Sequence, residues 1–290
     1  MRILAARLSM ILIALAVVAM PAASKERVPF LVSSSWLAQH LHDANLVLLH
    51  VGSADSFRKG HIPGAQLTSL EDISVSDRLK FELPPVEALT SAFEARGISA
   101  DSRIVVYFVD RDSGVGSIVG ATRVIWTLAY YGLGDRVSLL DGGLPAWQKA
   151  GNAVTSETKT PAPGKLVPHL HPEYFADAAW ISSHLHRPGL SLIDARLAQS
   201  YLKDGRIPGA KNIPIEELTN ENGELKDASA LTSILSGAGV RPGNQIAGYC
   251  YLGVRATLIW FVARMLGYQA RLYDGSWEEW SDRKDLPVEK

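Results

Sequence analysis

Cys250 is the only cysteine in the 290-residue chain, and its position suits a nucleophile. It ends an apolar run, residues 245–250, and begins a short loop, residues 251–255, that leads into a helical pattern. Backbone N–H groups of such a loop, together with the N-terminus of the following helix, surround sulfur with positive potential and favour the thiolate. The alternative is a small core residue, a common role for an unpaired cysteine. The strand, loop, Gly253 and helix context favours the nucleophile.

The residues expected to bind a substrate lie around this thiol. Arg255 can donate to an oxyanion, and the alternative is a structural ion pair with a carboxylate such as Glu278. Arg206 and Trp277 are further candidates, the alternatives being an exposed or paired arginine and a core tryptophan. The loop contributes Tyr251, Leu252, Gly253, Val254 and Arg255.

Other polar residues are assigned no chemistry. Asp194 and Arg196 stand at the end of an apolar strand and are interpreted as fixing local geometry. The sequence has no Cys/His cluster with the spacing of a zinc site, so we predict neither a metal nor another cofactor. The scattered histidines include His169, His171, His184 and His186.

Composition is typical of a globular, exported protein. Arg2 and Arg7 precede an apolar run at 8–20 and small residues at 21–24, so residues 1–24 are predicted to be an export signal. The run is shorter than the roughly 20 apolar residues of a membrane span, which makes an uncleaved anchor the weaker alternative. A net charge of −1 gives no general attraction to nucleic acid or acidic membranes. We therefore expect a periplasmic protein that binds no nucleic acid and has no span in its mature form.

Internal repetition determines the organisation. Residues 60–65, GHIPGA, recur as GRIPGA at 205–210, and residues 139–147, LLDGGLPAW, recur as LYDGSWEEW at 272–280. Repetition of this kind indicates a duplicated domain. We predict domains at 25–154 and 171–290, joined by a linker at 155–170 that is rich in Pro, Thr and Gly.

Each copy has the pattern of an α/β domain. Short Val/Ile/Leu runs alternate with amphipathic stretches, which predicts a small, mostly parallel sheet flanked by helices. The first copy has a predicted strand at 103–108 and a predicted helix at 119–131. The second has the corresponding elements at 245–250 and 255–266. Ligands of such sheets bind beyond the carboxyl ends of the strands, where Cys250 is placed.

With these motifs assembled, the chain resembles the tandem rhodanese family of sulfurtransferases over everything that follows the predicted signal. The resemblance implies an inactive N-terminal copy, in which Phe108 stands at the position of Cys250, and an active C-terminal copy. It implies that Cys250 accepts a sulfane sulfur from thiosulfate or 3-mercaptopyruvate as a persulfide. The acceptor is then cyanide, a small thiol, or a thiol-redox or sulfur-acceptor protein.

The sequence also departs from the family. Ser200 stands where larger members often have an arginine that binds the donor, and Tyr251 and Leu252 match neither donor subtype, so the donor stays open. One alternative is an exported sulfur-relay or binding module with little turnover alone. The other is a cysteine-dependent phosphatase or arsenate reductase, but those loops hold five residues between Cys and Arg and this one holds four, 251–254.

Overall fold

The computed structural model describes residues 27–110 and 117–290, and within them each half of the chain contains a five-stranded parallel sheet. The predicted α/β architecture is therefore confirmed. The predicted export signal lies outside the described residues. Of the described helices, none is both long and apolar enough to cross a membrane.

The N-terminal sheet has the strand order β1-β5-β4-β2-β3, with the helices packed on its two faces. Its elements are β1 (Leu31–Val32), α1 (Ser34–His40), β2 (Leu46–Val51), α2 (Ala54–Lys59), β3 (Gln66–Thr68), α3 (Val86–Ala95), β4 (Arg103–Phe108), α4 (Ile118–Leu128), β5 (Val137–Leu140) and α5 (Gly143–Lys149).

The C-terminal sheet repeats this topology as β6-β10-β9-β7-β8. Its elements are β6 (Phe175–Ala176), α6 (Ala178–His184), β7 (Leu190–Asp194), α7 (Ala198–Lys203), β8 (Lys211–Asn212), α8 (Ala228–Gly237), β9 (Gln245–Tyr249), α9 (Ala256–Met265), β10 (Gln269–Tyr273) and α10 (Ser276–Asp282).

The duplication extends to how helices begin. Ser33 caps α1 by accepting a hydrogen bond from Trp36 N, and Asp177 caps α6 by accepting one from Trp180 N. Short oxygen-bearing side chains at this position satisfy an N–H group that lacks a partner within the helix. The two copies therefore start with the same local structure.

The predicted linker has no helix or regular strand and lies against the N-terminal half. Gly164 N donates to Glu94 O at 2.8 Å, and a Cβ at Gly164 would lie 1.8 Å from Ile98 O. Only glycine fits such a close approach of two backbone segments. The domain boundaries at 154 and 171 stay a prediction.

A single core joins the two halves. Helices α4 and α9 pack against each other, and buried residues of both sheets belong to one hydrophobic cluster. A buried hydrogen bond between Thr122 Oγ1 and Thr257 Oγ1, 2.9 Å long, crosses this junction. The loop that precedes α9 therefore lies where the halves meet.

Candidate active site

Cys250 directly follows β9, which lies in the C-terminal sheet between β7 and β10. Its N–H donates to Ser276 Oγ at 3.2 Å, and its carbonyl accepts from Trp277 N at 3.0 Å. The residue is only 1% exposed and is the free cysteine of the chain. The turn at 276–277 therefore fixes the backbone of Cys250 through both its N–H group and its carbonyl group.

The backbone N–H groups of the loop at 251–255 are available as hydrogen-bond donors. In the described part of the chain, no protein group accepts a hydrogen bond from the N–H groups of these residues. Its carbonyls are used: Val254 O accepts from Thr257 N at 3.2 Å and from Thr257 Oγ1 at 2.6 Å. Unpaired N–H groups ahead of a ten-residue helix form an environment that stabilises an anion. The arrangement suits a thiolate or a bound anion.

Arg255 ends the loop and is half-buried. Its guanidinium forms an ion pair with Glu216, so the alternative of a structural pair with a carboxylate is observed, with Glu216 and not Glu278 as the partner. Glu278 instead accepts a hydrogen bond from Lys80 N at 3.0 Å, across the junction between the halves. Arg255 Nε is buried and has no hydrogen-bond partner among the described residues.

Arg206 is engaged with the C-terminal tail. Its Nε donates to Glu289 Oε1 at 3.1 Å, and its guanidinium lies over the ring of Tyr201 at 4.8 Å. Hydrogen bonds from Gly209 N–H and from Arg206 lower the pKa of Glu289. Of the hydrogen bonds and ion pairs that Arg206 forms with described residues, none involves residues 250–255. The structure thus does not bring this candidate to the loop.

Trp277 is buried, and its ring lies 4.4 Å from the guanidinium carbon of Arg196. Arg196 forms a buried ion pair with Asp194, through Nε at 3.0 Å and Nη2 at 2.7 Å. Burial lowers the pKa of Arg196, but the hydrogen bonds to Asp194 and the charge of that carboxylate raise it, and the pKa is raised as a result. The guanidinium carbon of Arg196 also lies 5.9 Å from the ring centre of Tyr249, the residue that precedes Cys250. Burial, and then the charge of Asp194, raises the pKa of Tyr249, so its phenol stays neutral.

The first copy holds different groups at the corresponding positions. The registers of β2 with β4 and of β7 with β9 place His50 at the position of Asp194, and Phe108 at that of Cys250. Burial, and then the neighbouring His61, lowers the pKa of His50 to about 4, so this histidine is neutral at pH 7. The first copy therefore lacks both the thiol and the buried ion pair.

Sequence reasoning missed two groups at the junction. Asp274 follows β10, and its carboxylate is paired with Arg123 from the N-terminal half and accepts a hydrogen bond from Leu83 N at 3.1 Å. The only sequence signal for Asp274 is the repeated Asp-Gly pair, at 141–142 and at 274–275. In the described residues no group of three or more His, Cys, Asp or Glu side chains could hold a metal ion.

Gly253 is required by the shape of the loop. Its φ is +76°, and a Cβ there would lie 2.5 Å from Asp274 O. The Gly253→Ala substitution is expected to destabilise the fold by at least about 2–3 kcal/mol, because a strained φ and an overlap act together. Urea denaturation at pH 7 measures this change.

Gly267 provides a matched control for this substitution. Its φ is +85°, but a Cβ there would have no atom within 4 Å. Gly267→Ala is therefore expected to cost only about 1 kcal/mol. Equal costs at the two positions would show that the contact with Asp274 does not constrain the loop.

Comparison with known proteins agrees with this geometry. A family model described as a rhodanese-like domain matches residues 33–150 and 177–283. The chain is 31% identical over 280 residues to a 3-mercaptopyruvate sulfurtransferase of Escherichia coli (strain K12), covering 89% of this chain and 97% of that protein. It is also 31% identical over 270 residues to a thiosulfate sulfurtransferase of Azotobacter vinelandii, covering 90% and 97%.

The crystal structure of SseA from Escherichia coli is similar as well. Its TM-score is 0.76 at 29% identity, and the match covers 86% of this chain and 99% of that chain. The family match includes both sheets and extends over most of the chain, so the predicted resemblance is confirmed. The chain therefore belongs to the rhodanese family and carries two rhodanese-like domains in tandem.

Proposed function

We propose that this protein is a sulfurtransferase that works through a persulfide on Cys250. The observation that carries the proposal is the placement of the chain's single thiol directly before a loop, 251–255, whose N–H groups have no acceptor among the described residues. Both the thiolate and the persulfide are anions, and unpaired amides stabilise either one without a metal. The names of the relatives from Escherichia coli and Azotobacter vinelandii support the same reaction class.

The reaction has two balanced steps. The Cys250 thiolate attacks the outer sulfur of thiosulfate, the S–S bond of the donor breaks, and sulfite leaves with the bonding electron pair. Cys250 then carries a persulfide anion. Cyanide or a thiolate attacks its outer sulfur, the persulfide S–S bond breaks, and the Cys250 thiolate is restored.

We expect the donor to be thiosulfate or 3-mercaptopyruvate, and both carry an oxyanion. With 3-mercaptopyruvate the thiolate attacks the donor sulfur, the C–S bond breaks, and its electron pair leaves on carbon as the enolate of pyruvate, which takes up a proton. The Arg255 side chain is 24% exposed at the end of the loop and can donate to such a group, and the loop amides add further donors. Ser200 leaves the site without the arginine that larger family members often use. We therefore expect the donor to be held mainly by Arg255 and the loop backbone, with Trp277 lining the pocket.

Intact mass spectrometry tests the proposal. The purified protein, incubated with thiosulfate and desalted, is expected to gain the mass of one sulfur atom and to lose it on addition of cyanide, whereas the Cys250→Ser variant is expected to gain none. Incubation with 3-mercaptopyruvate in parallel compares the donors. Absence of the gain with both donors, together with hydrolysis of an aryl phosphate, would assign the protein to the phosphatase class instead.

A sulfur-relay module is the second candidate. Tyr251 is 53% exposed and Leu197 is 51% exposed, so apolar side chains lie at the surface beside the loop and after the Asp194–Arg196 pair. Exposed apolar groups of this kind are suited to receiving a protein partner. A persulfide that forms with thiosulfate but resists both cyanide and small thiols would favour this function.

Export to the periplasm belongs to the proposal too, on the sequence of residues 1–24 alone. The N-terminal sequence of the protein recovered from the periplasm is expected to begin after Ala23 or Ser24. Recovery of the full-length chain from the cytoplasm would contradict export.

A further inference from the structure

We propose that Arg123, in the domain that lacks a thiol, is a positioning residue for the Cys250 loop. The inference rests on the proposed sulfur transfer and goes beyond it, because Arg123 belongs to the other half of the chain. It acts through Asp274 and Gly253, so it influences the reacting sulfur without touching it.

Arg123 is in direct contact with Asp274. The Arg123 residue is fully buried in α4, and its Nη1 is paired with the carboxylate of Asp274, which is 5% exposed. Its Nη2 donates to Phe81 O, and its guanidinium lies 4.7 Å from the ring centre of Trp126. Leu83 N donates to the second oxygen of Asp274 at 3.1 Å. Groups of the N-terminal half therefore hold both carboxylate oxygens.

Asp274 is in turn in contact with the loop at 251–255. An ideal Cβ on Gly253 would lie 2.5 Å from Asp274 O and 3.1 Å from Asp274 Oδ1. The middle of the loop thus rests directly against this aspartate. Because close-packed groups transmit small displacements, movement of Asp274 shifts the N–H groups on either side of Gly253.

A second route connects the same helix to the loop. Thr122, the residue before Arg123, shares a 2.9 Å hydrogen bond with Thr257 Oγ1. Thr257 Oγ1 in turn donates to Val254 O at 2.6 Å. Neighbouring residues of α4 therefore support the loop at two successive positions, Gly253 and Val254.

The consequence is a division of roles between the copies. The C-terminal domain supplies the thiol and the amides, and the N-terminal domain supplies a fixed charge that keeps these amides in place. Misplacement of catalytic groups by about 1 Å can cost roughly 100-fold in rate. Loss of Arg123 is therefore expected to slow chemistry at Cys250 much more than it weakens donor binding.

The test compares Arg123→Met, the double variant Arg123→Met/Asp274→Asn, and Trp126→Phe in the full-length protein. Trp126 lies one turn further along α4, and its ring faces the Arg123 guanidinium. Phenylalanine keeps an aromatic ring there but removes the hydrogen bond from Trp126 Nε1 to Tyr174 O, 3.2 Å long, so this variant perturbs the junction without removing Arg123 or Asp274. Three quantities are measured: the thermal midpoint, kcat and KM for thiosulfate, and the rate of alkylation of Cys250 by iodoacetamide at pH 7.

Arg123→Met is expected to lower kcat and the alkylation rate about tenfold or more, with KM changed less than about threefold. The double variant is expected to regain thermal stability, because no unpaired buried charge remains, but not the lost rates. Trp126→Phe is expected to lower the thermal midpoint and leave both rates within about twofold.

Two results would overturn the positioning role. One is a return of both rates with stability in the double variant, and the other is an equal loss of rate in Trp126→Phe. Alkylation needs no sulfur transfer, so it reports on the loop even if the proposed function fails. A wild-type protein that is alkylated but never gains sulfur contradicts the function alone.

Discussion

The Cys250→Ser substitution is expected to reduce sulfur transfer from thiosulfate to cyanide to the uncatalysed rate, a loss of more than about 1,000-fold. A serine hydroxyl at neutral pH is a far weaker nucleophile than a thiolate, and it forms no stable adduct with the transferred sulfur. Cys250 is the only cysteine in the chain, so no second thiol can replace it. The measurement is the steady-state formation of thiocyanate.

The fold should tolerate this change. Cys250 is buried, but its N–H and carbonyl are held by Ser276 and Trp277 whatever its side chain, and the loop can donate to the new hydroxyl. We expect a loss of about 1 kcal/mol at most in the free energy of unfolding. Thiocyanate formation at the wild-type rate by a folded Cys250→Ser protein would contradict the proposed mechanism.

The Arg196→Met substitution is expected to destabilise the protein by about 3–5 kcal/mol, the usual result of removing one partner of a buried ion pair. The Asp194 residue is fully buried, and Arg196 is 3% exposed. Asp194 accepts from Arg196 Nε and Nη2, so the substitution leaves its carboxylate in the core without a countercharge. Arg196 Nη2 also donates to Gly205 O at 2.7 Å, which ties this strand end to the GRIPGA segment. Urea denaturation at pH 7 measures the loss.

Arg283→Met is the matched control, because it removes an arginine from an exposed pair. Arg283 and Asp285 have side chains that are 39% and 65% exposed. Solvent screens such pairs, so no measurable change in the free energy of unfolding is expected. An equal loss in the free energy of unfolding in both variants would show that burial does not make the Asp194–Arg196 pair more important for stability than an exposed pair.

Local sequence patterns were sufficient for the sheets. The predicted strand at 103–108 coincides with β4, and the strand predicted at 245–250 matches β9, which ends one residue earlier at Tyr249. Buried parallel strands are nearly continuous in apolar residues, so their bounds can be recognised without knowledge of the partner strands. The repeated motifs likewise predicted two copies of one topology, which the matching strand orders confirm.

The helix predicted at 119–131 changes its type before its end. Helix α4 ends at Leu128 and continues as a π-helical turn, Ala129–Leu133, in which Gly132 has φ 114°. A Cβ on Gly132 would lie 2.5 Å from His169 O, and His169 N donates to Tyr131 O. The linker packs on this turn, and that contact is not visible in the local apolar pattern.

The sequence by itself determined the class of the fold, its duplication, and the one position at which a thiol could react, because each depends on local composition or on repetition. Only the tertiary structure decided which charges meet: Glu216 and not Glu278 with Arg255, and Arg123 with Asp274 across 151 positions. The Arg123–Asp274 pair forms only when α4 packs on α9 and brings the two domains together, and the Arg255–Glu216 pair forms only when the C-terminal domain folds. Periodicity describes how one segment faces the core and contains no information about the side chain on the opposite face of the junction.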